Sequence, residues 1–243
     1  MKVVLMDSPA EIADEVSKQI IDRVNQKPDA VLGFATGASP VETYKRLIKA
    51  SKDGRVSFKN VTTFNLDEYC PLSRDNENSY YYFMKTMLFE GAGFDFEKVN
   101  FLSGDCDDCD ECCSEYRKKI EDCGGIDIQL LGVGTNGHIG FNEPSDKFTD
   151  GPFKVKLTES TISSNSRYFA DGNVPQYALT MGVGDIMRAK KIILIATGKS
   201  KAKAVYSMVN GEVTPLCPAS ILQKHPDATV YIDKESAELL GKH

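Results

Sequence analysis

Residues 127–144 read Asp127-Ile-Gln-Leu-Leu-Gly-Val-Gly-Thr-Asn-Gly-His-Ile-Gly-Phe-Asn-Glu-Pro144. Ile126 to Leu131 form a short, mostly apolar run bounded by glycines. That pattern predicts a strand buried on both faces of a parallel sheet, because a helix so brief would not stand alone. Glycines at 132, 134, 137 and 140 then forbid a regular helix and let the backbone pass close to whatever lies above the strand end. A ligand loop is the expectation. It carries Asn136, His138 and Glu143, and Pro144 restricts Glu143 to extended backbone. An imidazole backed by a carboxylate suits proton shuttling near neutral pH. Gly132, Gly134 and Gly137 match the spacing G-x-G-x-x-G, but a dinucleotide site needs a helix to begin at the third glycine. His-Ile-Gly-Phe-Asn-Glu-Pro cannot start one, so that reading is rejected. A glycine-rich turn whose histidine only satisfies a backbone carbonyl stays open.

Outward from this loop, apolar runs alternate with amphipathic segments. Lys2 to Met6 predicts a first strand, and Ser8-Pro9-Ala10-Glu11 is a capping box before Ile12, Val16, Ile20 and Val24 at helical spacing. Ala30 to Ala35 is the second strand. It runs into Thr36-Gly37-Ala38-Ser39-Pro40 and a helix marked by Val41, Tyr44, Leu47 and Ile48. A glycine turn at a helix start offers free N–H groups and the positive dipole end to a phosphate; Ser39-x-x-Glu42 also reads as a capping box, and both remain open. The third strand, Val61 to Leu66, ends at Asp67-Glu68-Tyr69, which places Asp67 on the ligand side of a parallel sheet, against the alternative of a solvated turn. Downstream come a strand near Val99 to Leu102, a polar lid over roughly 145–180, and a strand from Lys191 to Ala196. That strand meets a second glycine turn, Thr197 to Lys201, and a helix with Ala204, Val205 and Met208. A last strand, Thr229 to Ile232, precedes a short helix to Leu240. The alternation predicts one domain over 1–243, an α/β fold with a doubly wound, mainly parallel sheet and helices on both faces.

Composition narrows the function classes. A chain of 243 residues with net charge −6 is acidic throughout, which argues against a nucleic-acid partner, since phosphate backbones are held by Lys and Arg. The opening Met-Lys-Val-Val-Leu-Met is too short for a signal peptide, and no stretch approaches the ~18 apolar residues of a membrane span. A soluble, cytoplasmic protein is expected. Of seven cysteines, five lie between Cys106 and Cys123. An odd number without an export signal disfavours disulfides. Cys106-x-x-Cys109-x-x-Cys112 has zinc-knuckle spacing, but no distal Cys/His pair completes it, and Cys109, Cys113, Tyr116 and Ile120 follow one helical face.

Five blocks together, Thr36 to Pro40, Asn65 to Tyr69, Gly137 to Pro144, Asn165-Ser166-Arg167 and Gly198 to Lys201, closely resemble the glucosamine-6-phosphate deaminases. They occur in the same order over nearly the whole chain. The resemblance implies conversion of glucosamine 6-phosphate and water to fructose 6-phosphate and ammonia, with no metal and no organic cofactor. Carried over residue by residue, His138 opens the sugar ring with Glu143 and Asn136 behind it, and Asp67 moves the C2 proton. Thr36, Gly37, Ala38, Ser39, Arg167 and Lys201 hold the phosphate. Many relatives have an aspartate where Asn136 stands, and a neutral amide cannot stabilise an imidazolium by charge. The rival readings are a 6-phosphogluconolactonase-like hydrolase and a non-catalytic sugar-phosphate-binding domain. The absence of an N-terminal helix-turn-helix speaks against a regulator. Hexameric relatives bind an activator, N-acetylglucosamine 6-phosphate, through cations just past the Asn-Glu-Pro segment and through an extended tail. Phe153 and Val155 occupy the corresponding positions and the chain stops at His243, so a monomer or small homo-oligomer is expected.

Overall fold

Ser8 starts the first helix as its sequence requires: its Oγ accepts the Glu11 N–H at 3.2 Å, while Glu11 reaches back to the Asp7 N–H at 3.2 Å. The computed structural model describes residues 1–166, 169 and 173–241, with the backbone alone for Ser160 and Ser164. Arg167 and His243 lie outside the described residues. The elements run β1 (Lys2–Leu5), α1 (Pro9–Gln26), β2 (Val31–Phe34), α2 (Val41–Lys52), β3 (Thr62–Asn65) and β4 (Asp67–Cys70). Next come α3 (Tyr80–Met84), a π-helical turn (Lys85–Phe89), α4 (Glu90–Ala92), β5 (Val99–Asn100), α5 (Cys109–Asp122) and β6 (Ile128–Leu131). The second half holds β7 (Phe153–Lys156), α6 (Glu159–Asn165), β8 (Tyr177–Thr180), α7 (Val183–Met187), β9 (Ile192–Ala196), α8 (Ala202–Asn210) and β10 (Ala228–Ile232).

Seven strands form one sheet in the order β1-β10-β9-β6-β2-β3-β5, with every pairing parallel. From β2 the chain winds outward through β3 to β5, then returns to β6 and winds the other way, so the topological switch lies between β2 and β6. Alternate residues feed two cores. Leu32, Phe34, Leu130, Ile193 and Ile195 pack under α1, α2 and the α3–α4 segment; Val31, Leu131, Ile192, Leu194 and Val230 pack under α5, α7 and α8. Strands buried on both faces show no polar alternation, which is why they read as continuous apolar runs. At the amino ends of the strands, buried Asp127 accepts the Val31 N–H and pairs with Arg23, Lys27 and Lys190.

The cysteine face lands as its periodicity predicts, with Cys113, Tyr116 and Ile120 buried on α5. Cys106 and Cys109 Sγ lie 3.8 Å apart. Among the described residues no three metal-binding side chains converge to hold an ion.

Two expectations change. Asp67-Glu68-Tyr69 is not the tail of the third strand but the start of β4, which pairs antiparallel with β8, itself antiparallel to β7. This three-stranded sheet gives the 145–180 lid regular structure. Its strands are four residues each, and β4 pairs with a strand far along the chain from it, too short and too scattered for periodicity to announce. The final helix is also replaced, by turns. The Asp233 carboxylate draws in the N–H groups of both Ser236 and Gly198, a local side-chain bond that competes with helix formation.

Candidate active site

The carboxyl ends of β2, β3, β6 and β9 open onto one cleft of about 910 Å³, lined by Thr36, Gly37, Ala38 and Ser39, by Asp67, by Gly134 and His138, and by Ser200 and Lys201. That is where open α/β sheets bind ligands, beside the switch point. Its volume falls within the usual range for a small-molecule site.

His138 is set by a tight turn. Gly134 N–H donates to the His138 carbonyl at 2.9 Å, and His138 N–H donates to Asn136 Oδ1 at 3.2 Å. The imidazole lies flat against Gly134, where an added Cβ would fall 2.2 to 2.4 Å from ring atoms; no other residue fits there. Glu143 Oε1 stands 3.3 Å from His138 Nδ1. This is an ion-pair distance without hydrogen-bond alignment, since Nδ1 has no aligned partner. The same carboxylate accepts Asn136 Nδ2 on Oε2 at 2.6 Å and the Thr161 hydroxyl on Oε1 at 2.5 Å. Burial alone would raise the Glu143 pKa, but His138, Thr161 and Asn136 outweigh it and hold the carboxyl at about 2. Glu143 is therefore charged at neutral pH.

Asn136 departs from the relay its position suggests. Its amide bonds Glu143 and the His138 backbone rather than the imidazole ring. It anchors the carboxylate instead of sharing the proton.

Asp67 reaches the same cleft from β4. Opposite it in register is Thr180, whose hydroxyl accepts the Phe141 N–H at 3.1 Å. This clips the histidine loop to Asp67: a Cβ on Gly140, which has φ +55°, would lie 3.6 Å from Asp67 Oδ2 and 2.9 Å from Thr180 Oγ1. Asp67 is 6% exposed and its Oδ1 has no partner among the described residues. Burial first, and neighbouring Glu68 second, push its pKa up to about 8. Glu68 is itself raised to about 7 by burial, although it accepts the N–H groups of Tyr69, Tyr80 and Tyr81 at the start of α3. Two adjacent buried carboxyls so placed resist double ionisation, and Asp67 stays protonatable near neutrality.

In the same cleft, Ser39 does not cap α2. The N-cap is Pro40, with no side-chain bond, and Glu42 pairs with Lys45 and Arg46. The capping-box alternative fails, which leaves the Thr36 to Ser39 turn open to the cleft. The second turn is held by Asp233, which accepts the Gly198 N–H and brings Lys201 to the wall.

Sequence reasoning missed Thr161, which sits in the lid beyond any motif, and the capping role of Glu68. It also missed buried Asn142, whose Nδ2 ties the Ile139 and Met181 carbonyls together.

A doubly wound α/β scaffold whose switch-point cleft is lined by a buried carboxyl, an imidazole and two helix-start turns defines a protein that handles a small anionic molecule by proton transfer. The chain belongs to the family described as glucosamine-6-phosphate isomerases/6-phosphogluconolactonase, whose model matches residues 7–231. It is 45% identical over 241 residues to a glucosamine-6-phosphate deaminase of Thermoanaerobacter pseudethanolicus, covering 99% of this chain and 95% of that one. To the deaminase of Clostridium novyi it is 46% identical over 241 residues, covering 99% and 100%. A solved structure of a monomeric glucosamine-6-phosphate deaminase superposes with a TM-score of 0.95 at 42% identity, over 98% of this chain and 100% of that one. The 6-phosphogluconolactonase of Thermotoga maritima, at 16% identity and TM-score 0.76 over 96% of this chain and 99% of its own, shares the fold alone.

Proposed function

We propose that this protein is a glucosamine-6-phosphate deaminase, converting glucosamine 6-phosphate and water to fructose 6-phosphate and ammonia. The observation that carries the reading is the convergence of Asp67 and His138, with Glu143 behind the ring, on one cleft that the Thr36 to Ser39 turn also lines. The close relatives named for this activity support it over the distant lactonases. No helix among the described residues is long and apolar enough to cross a membrane, and a cytoplasmic monomer or small oligomer is the assembly we propose.

The chemistry follows from the placement. The phosphate binds the helix-start amides of Thr36 to Ser39 together with Lys201, and with Arg167 by its place in the sequence, so that remote binding energy positions the reacting carbons. His138, oriented by charged Glu143, moves a proton from O1 to the ring oxygen and opens the sugar. The C2 proton then lies beside an aldehyde and is acidic. Asp67 removes it as O1 takes up a proton, giving a 1,2-enolamine, and returns it to C1. The C2 imine adds water and expels ammonia, leaving the ketone. A carboxyl poised at about 8 both accepts and returns a proton near neutrality, and the substrate's ammonium group favours its ionised form.

The test is incubation with glucosamine 6-phosphate, measuring ammonia and fructose 6-phosphate in parallel. Equal formation of both supports the reading. Hydrolysis of 6-phosphogluconolactone with neither product formed would replace it.

A further inference from the structure

Glu143 is held from three directions, and one of the three belongs to the lid. Asn136 and His138 share its own loop, but Thr161 lies in α6, where it is 5% exposed and donates to Glu143 Oε1, the oxygen that faces His138 Nδ1. The Thr161 hydroxyl in turn accepts from Thr158 Oγ1 at 3.0 Å, and Thr158 is the residue that caps α6, taking the Thr161 N–H at 3.3 Å. The helix cap, the lid hydroxyl and the carboxylate therefore form one directed chain of hydrogen bonds. A hydroxyl has a single proton to give, and here it goes to the carboxylate. Asn136 fixes Oε2 alone, which leaves the carboxylate free to turn about that anchor unless Oε1 is also held.

We propose that Thr161 is a positioning residue for His138: by fixing Glu143 Oε1 from the lid helix, it makes docking of the lid a condition for orienting the imidazole. The inference rests on the ring-opening role given to His138 above. It places the coupling between lid and chemistry in one hydroxyl, with no contact between Thr161 and the reacting atoms required.

Thr161→Val keeps the shape and removes the donor, and Thr161→Ser keeps the donor. The expected result is a kcat about tenfold lower for Thr161→Val with KM within about twofold, and near wild-type values for Thr161→Ser. In the substrate-free protein, the ¹⁵N signals of the His138 ring should move in Thr161→Val and stay in place in Thr161→Ser. A Thr161→Val variant with wild-type kcat and an unmoved His138 signal would overturn the proposal. Equal impairment of both variants, or a rise in KM alone, would do the same by showing a role in lid stability. Because the spectrum is read without turnover, it tests the hold of Thr161 on the pair separately from the deaminase reading, which fails only if the wild type releases no ammonia.

Discussion

Asn136 Nδ2 donates to Glu143 Oε2 at 2.6 Å, so the amide serves as a neutral brace for a carboxylate that faces His138. An aspartate there would set two carboxylates against each other at hydrogen-bond distance, and one of them would retain a proton to higher pH in the folded state than in the unfolded chain. For a carboxyl whose folded pKa is raised, stability is lost as pH rises through the window between the unfolded and folded values. Asn136→Asp should therefore match the wild type near pH 4 and be less stable by about 1–3 kcal/mol at pH 8. Melting temperatures at the two pH values decide it; a variant equally stable at both would mean that the brace tolerates charge.

Asp67 gives the converse case. Its folded pKa of about 8, against an ordinary value of 3.8, means that the folded state holds a proton that the unfolded chain releases. Stability contributed by that proton is present at low pH and lost as pH rises from about 4 to about 8. Asp67→Asn removes this dependence, so its melting temperature relative to wild type should climb across that interval and level off above it. Activity should disappear, together with solvent exchange at C2. A variant that still exchanges the C2 proton would remove Asp67 as the base.

Gly134→Ala should fold and fail to turn over. The new methyl would meet Cε1, Nε2 and Nδ1 of His138 at 2.2 to 2.4 Å, and the ring has to leave its place. A displacement of this size costs about a hundredfold in kcat. Circular dichroism alongside kinetics separates loss of the ring's position from loss of the fold.

Lys201→Ala should raise KM for glucosamine 6-phosphate about ten- to hundredfold, by removing a charge-assisted contact to phosphate. Arg167→Ala should do likewise, on the strength of its sequence position. Glucosamine without phosphate should be a poor substrate for all three proteins and should not distinguish them. An unchanged KM in either variant removes that residue from the phosphate site.

On β7, Phe153 and Val155 are turned inward, lining a hollow of about 140 Å³ with Phe141 and Pro144, while Lys154 and Lys156 point to solvent. Lys154 lies over the Tyr177 ring at 5.1 Å. Among the described residues Lys147 is the one cation lining this hollow, where Glu143 also stands, and a single ammonium among mostly apolar walls offers little to offset the cost of desolvating a phosphate. Rate curves should be hyperbolic and unaltered by N-acetylglucosamine 6-phosphate, and light scattering should give the mass of a monomer or small oligomer. Sigmoidal curves made hyperbolic by that compound, in a hexamer, would refute this.

Much of this protein is written locally in its chain. The central strands β2, β6, β9 and β10 are buried, mostly apolar runs, α1 and α5 show their faces by periodicity, and Ser8 marks a helix start, because each depends on neighbours a few residues away. The blocks around Asp67, His138, Glu143 and Ser39 likewise mark out the proposed site as a set. What the chain alone leaves undecided is whatever depends on distant segments meeting. Whether Ser39 capped a helix or faced the cleft, and whether Asn136 touched the ring or the carboxylate, were settled by tertiary packing, since each side chain had two partners within reach. The second sheet needed long-range partners to exist at all. The raised pKa of Asp67 belongs to the same class: desolvation is a property of everything packed around a group, and no spacing of residues along the chain encodes it.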